Sequence, residues 1–242
     1  MNPLLAFIRA ELGLTLRQGE QLLVSFGIPL AALVFFSQVD VLPLTRDPLD
    51  HLTPAVIALS VMSAAMVSLG ISTAFERNYG VLRRLGVTPL GRPRLVLGKV
   101  LTVLTVIALQ VVLVLVVASV LGWSPAESWL GALAAVVPAV VLGTAAFGGL
   151  GMLFAGTMPA LRSLAVINAV YLMLAFAGGI AVPLDELPTV LSTVGELLPS
   201  GALTNVLMSA LSDNPASGSA WIVLVGWAVA SPLLAVKTFR WD

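Results

Sequence analysis

Long apolar runs separated by short polar ones organise this chain. Six runs approach or exceed the roughly 20 mostly apolar residues that a bilayer-spanning helix needs: 22–39, 53–75, 96–121, 129–154, 163–182 and 220–236. They are rich in Val, Leu and Ala, and most hold no charge. The third takes in Lys99 near its basic end, where a lysine is expected to snorkel to the interface. Pro138 and Pro232 lie inside runs, where neighbouring helices can satisfy the freed backbone groups. The pattern predicts an all-α membrane protein with six transmembrane helices, built as a single transmembrane domain over 1–242.

Three segments outside the runs have a periodicity of their own. In residues 3–20, Leu4, Leu5, Ile8, Leu12 and Leu16 share one side of a helical wheel and Arg9, Arg17 and Glu20 lie on the adjacent side. Pro3 suits a first helical turn. This reads as an interfacial helix, or as a plain surface anchor; the charges spread through it do not fit a cleavable signal. Over 75–99, Glu76, Arg77, Gly80, Arg83 and Arg84 gather on one face of a helix at 76–86, with Val81, Leu82 and Leu85 opposite. Gly86 and Pro89 end it. Such a helix can dock on a soluble partner, or can simply be a loop whose basic residues set topology. In 183–219, apolar residues recur at helical spacing on either side of Pro199 and Gly201 in runs too short to span. They read as short outer re-entrant or interfacial helices, either a surface pair or an outer lid.

Charge supplies the orientation. Eleven of the twelve Lys and Arg fall on one side if the N-terminus is cytoplasmic, and only Arg46 on the other. That bias places both termini inside. Asp40, Asp47, Asp50, Glu127, Asp185, Glu186, Glu196 and Asp213 lean outward. Trp123, Trp129, Trp221 and Trp241 sit at run ends, where interfacial anchoring is expected.

Composition narrows the function. Hydrophobic residues make up 59% and charged residues 10%, with a mean hydropathy of +1.05, which is incompatible with a water-soluble enzyme. Equal numbers of acidic and basic residues, 12 each, disfavour nucleic acid as a partner. The chain has no cysteine and one histidine, His51, so thiolate and histidine-rich metal sites are not expected. No charge sits near the middle of a run, as ion-coupled transport usually requires. Gln110 and Asn168 are the central polar residues, and interhelical hydrogen bonds are expected of both, with a substrate-facing role as the alternative. The nearest approach to a phosphate loop, Gly91 to Gly98-Lys99, has the wrong spacing and ends in Val100. Any nucleotide chemistry must come from another chain.

Three features together resemble the permease family of ABC type-2 exporters, the membrane subunits of drug- and polysaccharide-export systems. An amphipathic helix precedes the first run. The loop after the second run carries Glu76, Arg77, Gly80, Leu82, Leu85, Thr88, Pro89, Leu90 and Arg92, followed by Gly98-Lys99. The last outer loop carries Leu187, Pro188, Leu191, Leu197, Leu198 and Pro199. Arg83 and Arg84 make the loop helix more basic than the family pattern. The resemblance implies a half-transporter in the cytoplasmic membrane. It would pair with a second permease chain, as a homo- or heterodimer, and with two copies of a separate ABC ATPase subunit. ATP and Mg would act in that ATPase, leaving no cofactor and no catalytic residue here. It further implies a coupling helix at 76–86, using Glu76, Arg77, Gly80, Arg83 and Arg84, and a connecting helix at 3–20, carrying Arg9 and Arg17. The apolar runs suit a hydrophobic or amphipathic cargo, such as a drug-like compound or lipid. Two alternatives stay open on sequence: a membrane scaffold recruiting another cytoplasmic partner, and a secondary transporter. A role in signalling or in immunity to a peptide fits the same family equally.

Overall fold

The computed structural model describes residues 3–17, 19–38, 48–87, 91–126, 128–180, 188–212 and 218–240, and every regular element among them is helical. In chain order these are α1 (Pro3–Arg17), α2 (Gly19–Gln38), α3 (Pro48–Met62), a π-helical stretch (Ser63–Ser68), α4 (Leu69–Asn78), α5 (Val81–Gly86), α6 (Gly91–Val120), α7 (Trp129–Thr157), α8 (Ala160–Ala177), α9 (Thr189–Leu197), α10 (Pro199–Leu211) and α11 (Gly218–Thr238). The α3, π and α4 segments run on as one helix, Pro48–Asn78. That helix, α6, α7, α8 and α11 are each long and apolar enough to cross a membrane, while α2 contributes a shorter apolar stretch, Ser25–Gln38. The chain is an integral, multi-pass membrane protein.

The α3–α4 helix is the most buried of the five and forms the centre, packed against α2, α6, α7 and α10. Its neighbours approach closely because small residues face each other. A Cβ on Gly151 of α7 would lie 2.7 Å from the Met66 carbonyl oxygen, inside the π-helical stretch. Gly149 faces Ser231 and Pro232 of α11 in the same way. Between apolar helices in lipid, association depends on contact packing and interhelical hydrogen bonds rather than on expulsion of water. Ser231 Oγ accordingly donates to the Ala146 carbonyl at 2.7 Å, across to α7.

Several expectations shift. The fifth run ends at Ala177 rather than 182, because Gly178 and Gly179 turn the chain, Gly179 with φ 73°. Of the outer helices, α9 exposes Val190, Leu191, Val194 and Leu197, but α10 is buried along most of its length between α3, α7 and α11. It is a core element. Pro188 caps the start of α9 and is exposed; Pro199 opens α10 and is buried. Trp123 is not an interfacial anchor. It is 4% exposed, and its Nε1–H donates to Asp50 Oδ1 at 3.0 Å. Ser212 Oγ donates to the Asp50 carbonyl at 2.7 Å. Those contacts tie α3, the end of α6 and the end of α10 together at one end of the bundle.

Candidate functional site

At the opposite end, the sequence places a cluster of basic residues. The single helix expected over 76–86 is instead broken. The long central helix continues through Glu76 and Arg77 to Asn78, and the chain then turns at Gly80, whose φ of 74° lies in the left-handed region that a glycine adopts most readily. Helix α5 starts after that turn. Glu76 and Arg77 therefore belong to the end of a span, and only Arg83 and Arg84 belong to the short helix.

The two halves of the expected face do different things. Arg77 Nη1 donates to the Ala155 carbonyl at 2.7 Å. Ala155 lies in the last turn of α7, where carbonyls lack intrahelical donors. Ser163 Oγ donates to the neighbouring Phe154 carbonyl, and the Arg240 backbone N–H to that of Gly156. The end of α7 is thus capped from α4, α8 and the segment after α11. A guanidinium is well suited to this position, being always charged and rich in donors.

Glu76 meets Lys99 of α6. Lys99 Nζ lies 3.0 Å from Glu76 Oε1 and 2.8 Å from Oε2, and 3.1 Å from Glu11 Oε1 on α1. Lys99 is 1% exposed, so it does not snorkel. Its aliphatic stem is enclosed, and its ammonium is 5.9 Å from the Phe7 ring centre. A buried ammonium needs such partners, because an unpaired one is strongly disfavoured. Phe7 packs directly over Gly98, where a Cβ would collide with the ring. One residue pair, Gly98-Lys99, thereby seats both the apolar and the polar part of α1. Glu11 and Phe7 were not distinguishable in the sequence. Both stand on a helix whose evident apolar stripe lies elsewhere, and Leu5 and Leu16 of that stripe are exposed.

Leu82 of α5 is completely buried in a second core with Phe7, Leu69, Leu95, Val100 and Phe239. This core joins α1, α4, α5, α6 and the segment after α11. On the other side of α5, Val81, Arg83, Arg84 and Val87 are exposed, as is Tyr79 before it. Arg92 is exposed at the start of α6, and Arg9 and Arg17 are exposed on α1. Thr88 and Pro89 lie outside the described residues. Gln110 makes the expected interhelical bonds, its Nε2 donating to the carbonyl and hydroxyl of Ser25 on α2, both at 2.9 Å. Asn168 does not. It is exposed, and its Nδ2 donates to the Leu164 carbonyl one turn back on its own helix. Among the described residues, no group of three or more His, Cys, Asp or Glu could hold a metal.

The described residues thus form a multi-span apolar bundle with a short cationic helix held between two of its spans. The chain matches the family described as ABC-2 type transporter over residues 3–211, and it belongs to that family. It is also similar to a protein of Bacillus subtilis (strain 168) named "Putative transport permease YvfS", with 26% identity over 211 residues, 83% of this chain and 82% of that one. The chain is thus a non-catalytic permease component of an ABC-type transporter.

Proposed function

We propose that this chain is the permease half of an ATP-driven exporter, moving a hydrophobic or amphipathic cargo outward with a separate ABC ATPase. In this reading α2 supplies the sixth span, both termini are cytoplasmic, and a second permease chain completes the path. The carrying observation is α5: its exposed Arg83 and Arg84 back onto Leu82, which is fully buried in the core shared by α1, α4 and α6. A push on the arginine face would reach the spans through a packed side chain rather than through a loose loop, since close-packed interiors transmit displacement.

The chain's own residues then have distinct tasks. Arg83, Arg84, Tyr79 and Val87 present a cationic and apolar surface to the ATPase. Leu82 carries movement into the bundle. Lys99, held by Glu11 and Glu76, makes α1 move with α4 and α6. Arg77 holds the end of α7 to the end of α4. ATP and Mg act in the partner, and the permease contributes an equilibrium between two arrangements that nucleotide and cargo bias differently.

The test is mild-detergent affinity purification of the tagged chain from its native membrane. A stoichiometric co-purifying ATPase, lost in Arg83→Glu/Arg84→Glu while the variant still inserts, is the expected result. Repeated recovery without any ATPase, with crosslinking, would overturn the reading in favour of a scaffold or a secondary transporter.

A further inference from the structure

Beside the coupling surface, a cavity of about 450 Å³ is lined by Arg92, Thr157, Lys237, Thr238, Phe239 and Arg240. It lies where the start of α6, the end of α7 and the end of α11 converge. Arg92, Lys237 and Arg240 are all exposed. Among the described residues, none of the three is paired with a carboxylate. Three cations around one concavity repel each other, and an anion in it would relieve that repulsion. The two threonine hydroxyls are already donating within their own helices, Thr157 to Leu153 and Thr238 to Leu234. Recognition there is left to the positive side chains.

The surroundings distinguish the kind of anion. One helical turn before Lys237 stands Leu233, and one turn before Thr238 stands Leu234, 55% and 49% exposed. Residues four apart share a face of a helix, so an uncovered apolar stripe on α11 runs from the lining of the cavity into the spanning region. A basic cavity at the head of an exposed apolar stripe matches an amphiphile with an anionic head and acyl tails. Basic pockets between helices at the membrane surface suit lipid headgroups on the same electrostatic grounds. We propose that this cavity binds the phosphodiester headgroup of an anionic phospholipid, with Arg92, Lys237 and Arg240 on the phosphate and the acyl chains along Leu233 and Leu234. The proposal is independent of cargo and of the ATPase.

The full chain is equilibrated in vesicles of equal parts phosphatidylcholine and phosphatidylglycerol, extracted gently, and its retained lipid counted by mass spectrometry. Phosphatidylglycerol is expected to be enriched severalfold over phosphatidylcholine. The variant Arg92→Gln/Lys237→Gln/Arg240→Gln should return the ratio to that of the vesicle. The control Arg9→Gln/Arg83→Gln/Arg84→Gln, which removes three exposed cations from the same end, should retain the enrichment. If the first variant is not monodisperse, Lys237→Gln alone should show partial loss and Lys237→Arg none. No enrichment in the parent chain, or equal loss in variant and control, would overturn the proposal. Displacement of phosphatidylglycerol by millimolar inorganic phosphate would also overturn it, assigning the cavity to a soluble phosphate.

Discussion

Glu76 at the end of α4 and Lys99 in the first turns of α6 are held 2.8 Å apart, with the lysine almost wholly buried. The two residues flank the whole α5 loop, so their pairing closes the base of that loop. Glu11 joins them from α1, 3.1 Å from the same nitrogen. Removing the lysine leaves two part-exposed carboxylates facing each other without a cation between them. Lys99→Met is expected to destabilise the chain by about 1–3 kcal/mol, because the lysine is buried while both carboxylates are part-exposed and can regain water. Lys99→Arg should restore most of this. Detergent-solubilised thermal melting of the two variants checks it, and equal melting of Lys99→Met and the parent would refute the clamp.

The proposed coupling surface on α5 separates charge from packing. Arg83→Glu/Arg84→Glu should abolish ATPase association without changing the melting temperature, because both side chains are exposed. Leu82→Ala should act in the opposite order. It vacates a fully buried position, at a cost of about 2–5 kcal/mol if the site does not collapse. It should weaken coupling of hydrolysis to transport more than association. Pull-down and ATPase assays on the reconstituted complex distinguish the two patterns.

The contact between α7 and the π-helical stretch admits no side chain. Gly151→Leu places bulk against the Met66 backbone, which cannot move aside as a flexible side chain could. Loss of monodisperse protein on size-exclusion chromatography is expected. Gly226→Ala on α11, where a Cβ meets nothing within 4 Å, should be silent.

At the other end, the Trp123–Asp50 bond predicts a difference between charge and acceptor. Trp123→Phe leaves the part-buried carboxylate without that donor, at a cost of about 0.5–1.5 kcal/mol for a net hydrogen bond. Asp50→Asn preserves a carbonyl acceptor and should cost less. Comparison of the two melting curves measures the contribution.

The outline of the spans was readable because lipid imposes a local rule. Every backbone polar group must be satisfied within a helix and every outward side chain must be apolar, so continuous apolar runs announce themselves. The break at Gly80 was harder to see: a wheel drawn over 76–86 looks continuous, and only the left-handed φ divides Glu76 and Arg77 from Arg83 and Arg84. Arg77 looked like a docking residue for the same reason, since nothing adjacent in sequence shows that its partner is the Ala155 carbonyl, 78 positions away.

The sequence by itself determined membrane residence, the approximate span limits, the basic end and the family pattern. All of these follow from composition and short-range periodicity. Tertiary structure decided that Lys99 is clamped rather than snorkelling, that α10 packs into the core, that Trp123 is buried, and that Leu82 is the inward side of α5. Each depends on which distant helix arrives at a given surface. In an apolar bundle, where nearly every face is hydrophobic, that choice is made by small-residue contacts such as Gly151 on Met66 and by a few buried polar pairs, none of which leaves a local signature in the chain.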